Sequence, residues 1–230
     1  ERETEGHSTV AVTATPEGMY RRRPGLGAVG ACVAALAGCA RLDETLDEAR
    51  DREAEPAAVE ASAAAATGLE QTALTDQVYE QTVDIADESW ELRLQNWLTQ
   101  YTTGATETSA AGFSLLTTPT VSVAGQAVNP FRQFDRERLL QAMVERADAV
   151  PVESIETVGR RTVTVLDESV PVEAFRADGE QESVQFRLHL GDRTHDGDIL
   201  VFLGVHPAVV EMTETIDTLA EGIAHPVERP

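Results

Sequence analysis

The stretch SVQFRLHLGDRTHDGDILVFLGV, residues 183–205, decides the reading of the fold. Its first part, Ser183 to Leu190, alternates strictly: Val184, Phe186, Leu188 and Leu190 fall on one side, and Gln185, Arg187 and His189 on the other. A period of two marks a strand with one apolar face. Its last part, Ile199 to Val205, is almost continuously apolar and suits a central strand covered on both faces. GDRTHDGD between them reads as a connecting loop, with Asp-Gly supplying common hairpin chemistry.

The flanking sequence supplies helices and further strands. Val209, Met212, Ile216, Leu219, Ala220 and Ile223 share one stripe of a final helix that stops around Gly222 to Pro226. Asp135 caps a second helix through about Ala147, with Leu139, Leu140, Met143, Val144 and Ala147 as its buried stripe. Val59 to Leu69 is alanine-rich and predicts a third, ended near Gly68. Arg161 to Leu166 and Val170 to Arg176 flank Asp167-Glu168-Ser169 as a hairpin. Gln77 to Ile85 and Ser89 to Thr99 read as strands, the second with Trp90, Leu92 and Leu94 opposite Glu91, Arg93 and Gln95. Phe113 to Val123 adds one or two more, interrupted at Pro119. The expected fold class is α+β: a mostly antiparallel sheet packed by two or three helices, one domain over residues 56–226.

Charge narrows the partners. The 230 residues carry 18 basic side chains, every one an arginine, against 40 acidic ones, for a net charge of −22. Carboxylate-rich surfaces without lysine resemble those of extreme halophiles, where carboxylates keep a surface hydrated in concentrated salt. A nucleic-acid partner is disfavoured, since binding phosphate needs a basic footprint and none is present. The two cysteines, Cys32 and Cys39, both precede the domain, which excludes a disulfide framework, a zinc knuckle or a catalytic thiol within it.

Those cysteines belong to an address. Arg21, Arg22 and Arg23 form a basic region ahead of Leu26 to Ala37, a weakly apolar run. Twelve residues at about 1.5 Å each reach about 18 Å, short of the ~30 Å hydrocarbon core, so the run suits a cleavable signal better than a transmembrane helix. Leu36-Ala37-Gly38-Cys39 then resembles a lipobox, in which the cysteine thiol is alkylated by a lipid. Arg22-Arg23 resembles a twin-arginine export signal. Met19 offers a normal signal start, so residues 1–18 read as an upstream extension, 19–38 as the signal and 39–55 as an acidic, solvated tether. The expected location is the extracytoplasmic face of the cell membrane, with the membrane itself as partner through the lipid on Cys39.

A resemblance follows from a series of landmarks in order: Asn96-Trp97, LTTP at 116–119, VAGQAVNP at 123–130, GVHP at 204–207 and EGIAHP at 221–226. Together, after a lipobox, they resemble haloarchaeal lipoproteins classed as a domain of unknown function of the DUF6517 type. The resemblance implies a fold and supplies no catalytic residues. The element order is also loosely similar to PsbP-like sandwiches, an analogy of fold that carries no function.

No nucleophile elbow, metalloprotease helix, phosphate-binding glycine loop or dinucleotide fingerprint is present. His195-Asp196-Gly197-Asp198 could grip a divalent ion, but Asp-Gly between two strands is first a turn. Asn96-Trp97 reads as a structural corner, its amide satisfying backbone groups and its indole filling the core. Gln185, Arg187 and His189 form a polar row on one strand and, with Arg93 and Gln95 on another, could line a ligand groove; the competing readings are a solvated sheet face or the surface under a helix. The expectation is a lipid-anchored binding or structural module without catalytic residues, cofactor or metal, with His189 on an open face. The alternative is a hydrolase-type enzyme using the Arg187/His189 face.

Overall fold

The protein is described by a computed structural model covering residues 51–85, 88–103, 111–123, 126–127, 129–147, 152–179 and 185–230. The upstream extension, the signal residues Arg22, Arg23, Leu36, Ala37 and Gly38, the lipid attachment site Cys39 and the tether as far as Arg50 lie outside the described residues. No helix among the described residues is long and apolar enough to cross a membrane.

The chain begins with β1 (Asp51–Glu53), β2 (Ala58–Val59) and α1 (Ala61–Thr67), followed by the long pair β3 (Leu69–Ile85) and β4 (Glu88–Thr103). Next come β5 (Gly112–Pro119), the small pair β6 (Ser122–Val123) and β7 (Gln126–Ala127), a 3-10 turn at Pro130–Arg132, and α2 (Arg136–Arg146). The remainder is β8 (Val152–Val165), β9 (Glu168–Gly179), β10 (Gln185–His195), β11 (Asp198–Pro207), α3 (Thr213–Glu221) and β12 (Ile223–Ala224).

Eight strands form the main sheet. From one edge the order is β8, β9, β10, β11, β5, β4, each antiparallel to the next. β3 pairs antiparallel along the whole of β4, whereas β1 runs parallel to Arg93–Gln95 of β4. The sheet is therefore mixed, and the fold is broadly α+β.

β11 is the fully covered strand that its composition predicts, and every residue from Asp198 to His206 is buried. Its alternation divides the core. Leu200 and Phe202 point into a cluster with Tyr101, Phe113, Val172 and the α3 residues Ile216, Leu219 and Ala220. Ile199, Val201, Leu203 and Val205 point into the opposite cluster, with Phe186, Leu188, Leu190 and the α2 residues Leu139, Leu140 and Met143. One helix layer thus lies on each face. Asp135 caps α2 as expected, its carboxylate accepting from the Arg138 amide at 2.8 Å. Gly68, left-handed at φ 72°, ends α1. α3 packs against bare backbone, because a Cβ on Gly204 would stand 2.6 Å from Ile216 Cδ1.

The connections depart from the expected ones. Residues 191–195 and Asp198 are strand, and the pairing runs unbroken from Phe186 opposite Pro207 to His195 opposite Asp198. Only Asp196 and Gly197 turn, at φ 47° and 89°, as a two-residue hairpin with positive φ at both positions requires. The β8–β9 hairpin likewise turns at Leu166 and Asp167, at φ 49° and 64°, and not at Asp167–Ser169. An unfavourable conformation for leucine is held here by Arg193, whose Nη1 donates to the carbonyls of Val165 and of Leu166. The final helix is shorter than its apolar stripe: Val209 is 95% exposed and precedes α3, and Ile223 follows it in β12.

The tether also ends sooner than its composition suggests. Asp51–Glu53 joins the sheet edge, and Ala54 is fully buried with its carbonyl accepting from Trp97 Nε1 at 3.0 Å. The segment continues across β4: Ala57 accepts from Thr99 Oγ1 and the Val59 amide donates to Tyr101 Oη. Trp97 fills the core as expected. Asn96 does not play the part assigned to it, since its Oδ1 is buried without a hydrogen-bond partner among the described residues.

Candidate functional site

His189 lies on the α3 side of β10, opposite Gly204 on β11 and Ala174 on β9. Both neighbours are small, which leaves room for the ring and for what α3 and β8 bring to it. Far from an open face, His189 is 3% exposed. The open face expected for His189 is not found, because α3 sits close against Gly204 and makes this the surface under a helix.

The contacts form a directed chain. Arg161 of β8 faces Asp217 of α3 through two guanidinium nitrogens, with Nε 2.8 Å from Oδ1. Its Nη1 lies 2.8 Å from His189 Nδ1. A guanidinium only donates, so Nδ1 must accept, and the proton of the neutral ring sits on Nε2. That nitrogen is 3.0 Å from His206 Nε2, which therefore accepts in turn. His206 then carries its proton on Nδ1, 3.0 Å from the Pro207 carbonyl oxygen. One assignment satisfies every member, with both histidines neutral.

Charge and burial hold His189 in its neutral form. Burial first, and then the positive charge of Arg161 beside the ring, pushes the His189 pKa down to about 3, while Glu211 acts in the opposite direction. Protonation would also set an N–H against the Arg161 donor. Neither histidine keeps a ring nitrogen free for proton transfer to a ligand, and a base with a pKa near 3 is a weak acceptor at neutral pH.

This chain forms one wall of a cleft of about 310 Å³ lined by Arg161, Arg187, His189, His206, Glu211 and Thr213, among others. Arg187, half-buried, makes no ion pair among the described residues. Across the cleft, Thr213 donates to the Glu211 carboxylate through hydroxyl and amide, which holds that carboxyl below its usual range. Two guanidiniums and ordered polar groups suit the cleft to an anion of carboxylate or phosphate type.

The predicted row is only partly brought together. Arg187 and His189 line the cleft, but Gln185 does not, because its side chain donates to Asp178 at 2.9 Å at the strand end. Arg93 stands on β4, engaged by Asp51 and Glu80, and Gln95 beside it is equally remote. Sequence reading missed Arg161, Asp217 and His206. Arg161 has no signal beyond its strand, Asp217 lies off the apolar stripe of α3, and His206 just follows the apolar run 199–205.

The candidate cation loop resolves as structure. Asp198 turns inward, and its Oδ2 accepts from His225 Nε2 at 3.1 Å and from the Glu55 amide at 2.8 Å. His225 Nδ1 meets His195 Nδ1 at 3.0 Å. The cluster ties the start of the domain to its C-terminal segment, and among the described residues no group of three or more His, Cys, Asp or Glu is placed to hold a metal ion.

Comparison with known proteins gives a family. No curated protein matches the chain. The model of a domain of unknown function, DUF6517, matches residues 56–224, from the crossing of β4 to β12 and including every residue of the cleft. With well over half of its length matched, the chain belongs to the DUF6517 family.

Proposed function

We propose that this domain is a non-catalytic binding module for a small carboxylate or phosphate anion, carried on the extracytoplasmic face of a haloarchaeal cell membrane by a lipid on Cys39. The observation that carries the binding reading is a cation in the cleft without an ion-pair partner among the described residues. Arg161 is fixed by Asp217, and Arg187 beside it is not neutralised by any carboxylate among the described residues. In a chain of net charge −22, the guanidinium of Arg187 stands in a concave site where Asp217 balances Arg161 and Thr213 holds the Glu211 carboxylate, and it offers an entering anion a partner. The anchor reading rests on Leu36-Ala37-Gly38-Cys39 behind Arg22-Arg23, and the haloarchaeal one on acidity without lysine. The analogy to PsbP-like sandwiches concerns fold alone and adds nothing to function.

Thermal shift with inorganic phosphate and with succinate, at fixed ionic strength, tests the cleft. At least one anion should stabilise the wild-type chain, and Arg187→Ala should remove that stabilisation without lowering the ligand-free melting temperature. Equal responses from the two proteins exclude the cleft as the site. Turnover of ester, phosphate, peptide or glycoside model substrates that disappears in folded His189→Ala would instead establish the hydrolase alternative.

A further inference from the structure

A second concavity lies on the opposite face of the sheet. It is a groove of about 560 Å³ between the β3–β4 pair and α2, and it shares no residue with the Arg161–Arg187 cleft. Its residues are chemically specific. Asn96 and Gln77 stand opposite each other in the β3–β4 register, and Tyr79 stands opposite Leu94. The neighbouring even-numbered positions of β4 show which side this is: Leu98 packs in the α2 cluster, and Gln100 donates to the Ala147 carbonyl at the end of α2. Across from them α2 contributes Arg138, Gln141 and Arg146.

Each group constrains the ligand. Asn96 is 1% exposed, lines the groove, and its Oδ1 has no partner among the described residues. A buried acceptor left unmet is costly, so a ligand offering a donor there gains more than at the surface. The guanidinium of Arg138 lies 4.6 Å from the centre of the Phe134 ring, and that of Arg146 lies 4.7 Å from Phe131 and 5.6 Å from Tyr79. Stacking fixes both cations, Arg146 spends one N–H on the Ala142 carbonyl, and neither makes an ion pair among the described residues. An anionic group is therefore expected between them, and Glu145 at the same rim disfavours a highly charged one.

The donor that meets Asn96 is best a hydroxyl. An ammonium at Asn96 would be buried against a neutral amide in a groove that also holds the guanidiniums of Arg138 and Arg146, and would be repelled and under-solvated there. Plain aliphatic acids would satisfy the arginines and leave Asn96 unmet. Gln77 and Gln141 both donate and accept, as a series of hydroxyls requires. We propose that the groove between β3–β4 and α2 binds a hydroxylated monocarboxylate of the uronic-acid class, through Asn96, Gln77 and Gln141 to hydroxyls and Arg138 and Arg146 to the carboxylate.

The experiment uses the full chain carrying Arg187→Ala, so that the cleft does not contribute. Calorimetric titration with glucuronate should give saturable binding at least about tenfold tighter than with glucose, which lacks the charge, or propionate, which lacks the hydroxyls. Adding Arg138→Ala, at an exposed position on α2, should weaken glucuronate about tenfold, the size of one charge-assisted hydrogen bond. Asn96→Leu should weaken glucuronate and leave propionate unchanged; if that variant does not fold, Gln141→Ala reads the same hydroxyl contacts from the exposed helix. Glucuronate binding no tighter than propionate or glucose, or unaltered by Arg138→Ala, overturns the proposal. Because the cleft is already disabled, neither result bears on the anion site there.

Discussion

His189 shows how much a single side chain's surroundings can alter its chemistry. In the unfolded chain the ring takes up a proton near pH 6.5, whereas in the fold it resists protonation down to about pH 3. The unfolded state therefore binds more protons throughout that window. The contribution to stability is complete above about pH 6.5, declines as pH falls, and is exhausted below about pH 3, with a slope of about 1.4 kcal/mol per pH unit for one proton. His189→Gln keeps an acceptor for Arg161 but does not titrate. Urea unfolding at pH 7 and pH 5 should show a larger loss of stability in the wild type than in the variant. Identical losses would mean that His189 is not held neutral by its neighbours. Asn96 makes the complementary point: its type and position were visible in sequence, but that its oxygen would lack a partner was not, since this depends on which atoms α2 and β3 bring near.

At the scale of elements, α3 is positioned by an absence of side chain. Gly204 lets Ile216 rest on the backbone of β11, and this places Asp217, the next residue, against Arg161. Gly204→Ala must push the helix outward, an overpacking cost of about 1–3 kcal/mol. The melting temperature should fall by a few to about ten degrees, and stabilisation by phosphate or succinate should weaken with it. Gly159→Ala is the control, because a Cβ there meets nothing within 4 Å. If the two substitutions cost the same, close packing at Gly204 is not what sets the helix. The strands themselves were legible wherever one face is wet, as in Glu91 to Gln95, and so were the caps at Asp135 and Gly68. The turn at Leu166 was not, because leucine carries no turn signal and its conformation is stabilised from outside by Arg193.

For the whole molecule the dominant physical fact is charge. A net −22 on a compact body repels itself over a Debye length of about 30 Å at 0.01 M salt but only about 3 Å at 1 M. The melting temperature should rise steeply between those ionic strengths, and a flat response would contradict adaptation to concentrated salt. Attachment is a second property at this scale. Mass spectrometry of the chain recovered from membranes should find lipid on Cys39 and none on Cys39→Ser; lipid-free wild type recovered from membranes would refute the anchor. Two acyl chains, at about 0.8 kcal/mol per buried CH₂, would hold the protein firmly where one of myristoyl size would not.

The sequence by itself determined the broad α+β class, the covered central strand, the capped helices and the family. Each of these is written in local periodicity, turn chemistry or an ordered series of landmarks, and periodicity survives without knowledge of neighbours. Tertiary structure alone decided that His189 is buried and neutral, that Arg161 and Asp217 meet it from β8 and α3, and that Gln185 stands aside. These partners are separated by tens of residues along the chain, and a strand pattern states which side chains share a face without stating what will cover that face. The cover is chosen by helix packing over glycine, and it converts a polar row into a cleft.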